Sequence, residues 1–269
     1  MKLKVLVDNN TYIDQYYCGE PAVSYYIEDE DTKLLLDVGY SDLFLDNMDK
    51  FRLNIEDINT IAISHGHNDH TRGLQYYFKD NHKNKVTIVA HPDAFKEKVI
   101  DDLKICSPIL EDELNEKCRL VLSKEPVKLS RNITFLGEIP QSNDFEIRKP
   151  IGKQCSHGCY EDDYIFDDTA LVYKNEYGIY IITGCSHSGI CNIIEYAKKV
   201  SNDSRVLGVI GGFHLFDGKD ERVKKTIEYI KKNNISELYP CHCTSFAVRA
   251  EMYKSIPVKE VGVGLELKW

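Results

Sequence analysis

Apolar positions along this chain switch between two periods. Short alternating or continuous runs bounded by turn residues predict strands, and recurrence every three to four residues predicts helices. Residues 3–7 alternate as a strand, and residues 22–27 and 33–36 read as two more, joined by the acidic turn Glu28-Asp29-Glu30-Asp31. Residues 41–51 place Leu43, Phe44, Met48 and Phe51 on one helical face, with Ser41 positioned to cap it. The apolar run at 58–64 predicts a strand and 71–78 a helix. Residues 86–90 read as a strand ending at His91-Pro92, and 92–99 as a helix with proline in its first turn. Residues 101–118 are polar and partly helical in pattern, and 119–122 and 132–136 read as strands.

The second half keeps this rhythm. Residues 169–173 and 178–183 predict a hairpin, 190–200 a helix and 206–210 a strand. Residues 221–233 form a helix with Val223, Ile227 and Ile230 on one face. Leu238-Tyr239-Pro240 leads into Cys241-His242-Cys243, Thr244 opens another helix, and 258–263 read as a last strand. Between the halves, residues 137–163 are rich in Pro, Gly and charge with few periodic apolar positions. A segment of that length is expected to be a lid or rim over a functional site.

Composition narrows the class. At 269 residues and 42% hydrophobic content the chain supports a proper core, and one large α/β domain over 1–269 is the expectation. A net charge of −9 argues against general nucleic-acid binding, which needs a basic face. It leaves room for a small anionic partner, because bound metal ions reverse the local potential. No apolar run approaches a membrane span, the N-terminal apolar stretch is too short for a signal peptide, and the nine cysteines form no regular framework. A reduced, cytoplasmic protein is the expectation.

The chemistry concentrates in Ser64-His65-Gly66-His67-Asn68-Asp69-His70, directly after the apolar run. Neutral imidazole is the commonest protein metal ligand, and aspartate adds an anionic oxygen. His65 and His67 share one side of an extended segment. Asp69 and His70 follow at the start of a helix, so one turn can present two pairs of ligands. A polar turn of solvated histidines is the competing reading. Elsewhere, Cys155-Ser156-His157-Gly158-Cys159 reads as plain loop in preference to a structural zinc site, and His82 as an exposed loop residue. His91, at a strand end, is a weaker ligand candidate.

The H-x-H-x-D-H pattern, with Gly184-Cys185-Ser186-His187, Gly212-Phe213-His214-Leu215 and Cys241-His242-Cys243-Thr244, resembles the metallo-β-lactamase superfamily. Within it, the set resembles the branch named for dihydropterin ribofuranosyl-aminobenzene phosphate synthase. The resemblance spans nearly the whole chain. It implies an α/β fold of the αββα sandwich type, two mixed sheets with helices outside, and two divalent metal ions per chain. By resemblance, His65, His67 and His187 hold one ion and Asp69, His70 and His242 the other. An aspartate at position 37 would support the metal loop. Cys185 stands where many members carry a bridging aspartate; it either binds metal through its thiolate or packs inward. His214 is a further ligand candidate, or donates a proton or binds a substrate anion. Redox members carry a glutamate where His67 stands, so zinc is expected, with manganese or iron as alternatives.

This implies a metal-dependent hydrolase using a metal-bound hydroxide, with Asp69 and His214 as catalytic groups. Arg72, beside the ligands, and Ser188-Gly189, at a helix start where anions bind, lean toward a phosphate ester or phosphodiester substrate. The alternatives are a ribosyl-phosphate transferase resembling the branch's namesake, or a non-catalytic metal-dependent binding or sensor protein.

Overall fold

The computed structural model describes residues 1–79, 85–156 and 158–269. His82 and His157 lie outside the described residues. Contacts divide the chain into two compact units: Met1–Lys124 with Lys149–Asp167 and Gly262–Trp269, and Glu125–Arg148 with Asp168–Val261. The 137–163 segment is therefore shared between them. No helix among the described residues is long and apolar enough to cross a membrane.

The first unit holds a seven-stranded mixed sheet. Its order is Glu266–Lys268, Lys2–Val7, Ser24–Asp29, Thr32–Leu36, Thr60–Ala62, Thr87–Ala90 and Arg119–Leu122. The first three pairings are antiparallel and the last three parallel. The parallel strands read as continuous apolar runs because both faces are covered; Leu34, Leu35, Leu36, Ile61, Ala62 and Ile88 are fully buried. Helix Leu43–Lys50 turns Phe44 and Met48 into this unit's core, as its periodicity predicts.

Two expectations in this unit fail. Residues 71–78 form two short helices, Asn68–Thr71 and Leu74–Tyr77, broken at Arg72-Gly73. A Cβ at Gly73 would lie 2.0 Å from the Val38 carbonyl oxygen, so the chain passes too close there for any side chain. Residues 92–99 are a turn followed by strand Lys98–Ile100, not a helix. That strand joins a four-stranded antiparallel sheet with Leu103–Lys104, Lys153–Ser156 and Cys159–Asp162. Part of the presumed rim is thus regular hairpin, and Cys155 and Cys159 sit on its two strands, unpaired by any disulfide.

The local pattern misreads Lys98 because its reason is tertiary. Its ammonium is fully buried and binds Asp163 Oδ2 at 2.8 Å and Asp167 Oδ1 at 2.9 Å. Burial works against the charge, but the two carboxylates outweigh it and hold Lys98 above the usual lysine range.

The second unit holds a six-stranded mixed sheet. Its order is Glu237–Cys241, Val206–Gly212, Ile179–Thr183, Ala170–Lys174, Ile133–Phe135 and Val127–Lys128. The first two pairings are parallel, the others antiparallel. Helices Ile190–Ser201 and Glu221–Lys232 bury Ile190, Ile193, Ile194, Val223, Ile227 and Ile230 in one core. The last predicted strand, 258–263, is instead extended chain with isolated bridges from Val258 to Leu238 and from Val263 to Thr11.

Removing one partner of a buried ion pair strands the others in low dielectric, at a cost of about 3–5 kcal/mol. Lys98→Met is expected to lower stability by about that much, read from urea denaturation. A midpoint and slope equal to the unmodified protein's would overturn this account of the Lys98 cluster.

Candidate metal-binding residues

The first donor set belongs to the first unit. Strands Thr32–Leu36 and Thr60–Ala62 run parallel, so Asp37 and Ser64 emerge together beyond their ends. The Asp37 carboxylate accepts the Ser64 N–H, the Ser64 hydroxyl and the His70 Nδ1–H, each at 2.7 Å. All three residues are fully buried. With Nδ1 committed as a donor, His70 keeps Nε2 for a proton or a metal ion, 3.4 Å from Asp69 Oδ2.

The turn between the histidines is held from behind. The Gly66 N–H donates to Asp167 Oδ2 at 2.7 Å, the same aspartate that Lys98 pairs. A Cβ at Gly66 would lie 2.1 Å from the Ala94 carbonyl oxygen, so only glycine fits. His65 Nε2 and His67 Nδ1 then face each other at 3.0 Å. That is near the ~3.3 Å edge of a tetrahedron of nitrogens around zinc.

Electrostatics sort these imidazoles. Burial, aided by Lys98, pushes His67 down to about 4 against the pull of Asp69 and Asp167, leaving the neutral, ligating form at ordinary pH. Burial also opposes charge on His70, but Asp69 and Asp37 outweigh it and hold it well above the usual range. A buried imidazole between two carboxylates calls for a cation, and a metal ion on Nε2 meets that demand as a proton does. The donor set therefore fits a divalent ion.

The second donor set belongs to the second unit, on loops after three adjacent strands. Cys185 and His187 follow Ile179–Thr183, His214 follows Val206–Gly212, and His242 and Cys243 follow Glu237–Cys241. Cys185 Sγ lies 3.2 Å from His242 Nε2, so its thiol faces an imidazole. The His187 and His214 rings lie 4.2 Å apart, and Cys185, His214 and Cys243 place one donor atom each within 4.8 Å of one another. Burial would raise the Cys243 thiol, but a hydrogen bond from Cys185 and the neighbouring His242 and His214 hold it well below the usual thiol range.

The profile described as "Metallo-beta-lactamase superfamily" matches residues 19–134. A Methanocaldococcus jannaschii protein named 7,8-dihydropterin-6-methyl-4-(beta-D-ribofuranosyl)-aminobenzene-5'-phosphate synthase is 32% identical, over 91% of this chain and 88% of that one. An uncharacterized protein of the same organism is 34% identical, over 91% of both chains. This chain belongs to the metallo-β-lactamase superfamily. A crystal structure described as a metal-dependent hydrolase of the β-lactamase superfamily overlays it with a TM-score of 0.86 at 25% identity, covering 100% of this chain and 99% of that one. The chain has the metallo-β-lactamase fold.

Other sequence candidates find different surroundings. Arg72 is half-buried with its guanidinium 4.4 Å from the centre of the Tyr40 ring. Ser188 is buried, donating its N–H (2.9 Å) and its hydroxyl to Asp168 Oδ2. The helix start beside it already holds an anion. Glu146 accepts the Cys191 and Asn192 N–H groups at 3.0 and 2.8 Å, and a Cβ at Gly189 would lie 2.5 Å from Glu146 Cβ. A substrate phosphate at Ser188-Gly189 would compete with that carboxylate, so the reason for placing substrate there falls away. His91 Nδ1 accepts the Asp93 N–H at 3.1 Å, closing its own turn.

Sequence reasoning missed Cys243, Asp167 and Glu146. Only Cys243 carried a local signal, the Cys-His-Cys spacing; the two carboxylates are distant in sequence from what they hold.

Metal-ligating histidines depend on the carboxylate behind them, and losing it typically costs ~10–100-fold in affinity. Asp37→Asn is expected to weaken zinc binding by about that factor in chelator competition. An unchanged affinity would show that Asp37 does not hold His70 for a metal.

Proposed function

We propose that this protein is a metal-dependent hydrolase acting on a phosphate ester or phosphodiester, with two divalent ions per chain, zinc before manganese or iron. The observation that carries the reading is the Asp37-held turn, which aims His65, His67 and His70 with Asp69 at their edge. The family resemblance adds His187, His242 and Cys185, on loops of the second unit, as further ligand candidates. Ions bound there would supply water acidified toward pKa ~7 and would neutralise charge developing on a phosphoryl oxygen.

The chain's own groups do the rest. Asp69 Oδ2 accepts a hydrogen bond from the attacking water and orients it. His214, whose buried Nδ1 finds no hydrogen-bond partner among the described residues, hands a proton to the leaving group. Arg72, kept in place by Tyr40, presents N–H donors to a phosphate. A second reading, formation of a ribofuranosyl-aminobenzene phosphate, draws its support from the relative named as that synthase.

Purified protein reconstituted with Zn²⁺ or Mn²⁺ is expected to hydrolyse a generic phosphodiester and to carry two ions per chain by elemental analysis. Removing one positioned catalytic group commonly costs ~10²–10⁴-fold, so Asp69→Asn is expected to lose that much turnover with its circular dichroism unchanged. Near-normal turnover in the variant would falsify the role given to Asp69. Metal uptake without phosphodiester turnover, together with formation of the relative's named product, would favour the synthase reading. Metal uptake with neither activity would favour a binding or sensor role.

A further inference from the structure

We propose that Cys185, His214 and Cys243 form a sulfur-rich cation site of their own within the second unit, suited to a thiophilic ion such as Zn²⁺. The inference does not rest on the hydrolytic reading. Cys185 and His214 also have roles in the hydrolytic reading above; an ion bound here withdraws both from those roles, so the two uses of these residues exclude each other.

The three side chains reach each other by different routes. Cys185 follows one strand, His214 the next and Cys243 the third, and their donor atoms lie within 4.8 Å of one another. The His214 backbone N–H points at Cys243 Sγ at 3.3 Å. An N–H aimed at sulfur favours the anionic form that binds metal. Gly212 leaves the space: a Cβ there would lie 2.5 Å from Cys243 Sγ and 2.6 Å from the Gly184 carbonyl oxygen.

The surroundings separate these thiols from ordinary core cysteines. Cys191 and Cys118 sit inside the two hydrophobic clusters, where burial pushes their thiols up, Cys118 to about 11. Cys185 is as buried as Cys118 but belongs to neither cluster, and its sulfur faces His242 Nε2. Two thiolates and an imidazole suit a soft or borderline ion far better than magnesium or calcium. Binding would release the protons of both thiols to solvent.

Co²⁺ is the probe, added to the reduced full-length protein, because thiolate-to-cobalt charge transfer grows with the number of sulfurs bound. The expected spectrum has two-sulfur intensity. Cys243→Ser is expected to lose about half of it, with Cys185 as the sulfur remaining. His65→Ala/His67→Ala is expected to keep all of it, whatever happens to phosphodiester turnover. Wild-type intensity in Cys243→Ser, a one-sulfur spectrum in the unmodified protein, or loss of the band in the histidine variant would each overturn the proposal.

A measurement without substitutions guards against misfolded variants. Alkylation followed by mass spectrometry is compared with and without Zn²⁺, the exposed Cys18 and Cys159 serving as unprotected controls. Cys185 and Cys243 are expected to be shielded together. Equal labelling of Cys243 in the two states would count against the site.

Discussion

The ligand turn depends on one buried carboxylate. Asp37 takes three hydrogen bonds at 2.7 Å, two from Ser64 and one from His70. These bonds tie the end of one parallel strand to the start of the donor-rich turn and commit Nδ1 of a histidine 33 residues away as a donor. An aspartate stripped of water is tolerable only because every bond it lost is replaced. Its main chain is in the left-handed region, at φ 59°, a conformation that a non-glycine residue keeps only where its surroundings over-determine it.

The same device recurs on a smaller scale in each unit. Asp167 holds the Gly66 amide between two candidate ligand histidines and is itself held by Lys98. Asp168 holds Ser188 beside His187, and Glu146 caps the helix that follows. Two of the candidate ligand loops, 64–70 and 185–189, are thus backed by buried carboxylates. Rigid backing matters chemically, since small displacements of a ligand are costly in affinity and in rate.

In the second unit the backbone shows how tightly the loops are drawn. Ser186, His214 and His242 all have positive φ, at 57°, 48° and 50°. For bulky residues such conformations cost about 1–3 kcal/mol each and gather where function requires them. Here they turn three loops sharply off adjacent strand ends, so that imidazole and thiol donors from separate segments converge. The positions of Gly212 and Gly66 follow from the same crowding, with a sulfur and a carbonyl oxygen occupying the space of a side chain.

Much of this was legible in the chain itself. The parallel strands announce themselves as apolar runs, helices Glu221–Lys232 and Leu43–Lys50 as stripes, and the donor-rich turn as residues 64–70. These are local features, set by periodicity and by which side chains can donate a lone pair. What the tertiary structure decided are the pairings between distant residues. No local pattern marks Lys98 as buried in a strand when its partners are 65 and 69 residues away. None marks Glu146 as the anion on a helix start 45 residues later, a place the sequence alone offers to a substrate. Cys243 was visible beside His242, but its meaning came from His214 and Cys185, on other strands. Periodicity reports which face of an element is buried; a buried charge reports its partner only once the chain has folded and removed the water that would otherwise have solvated it.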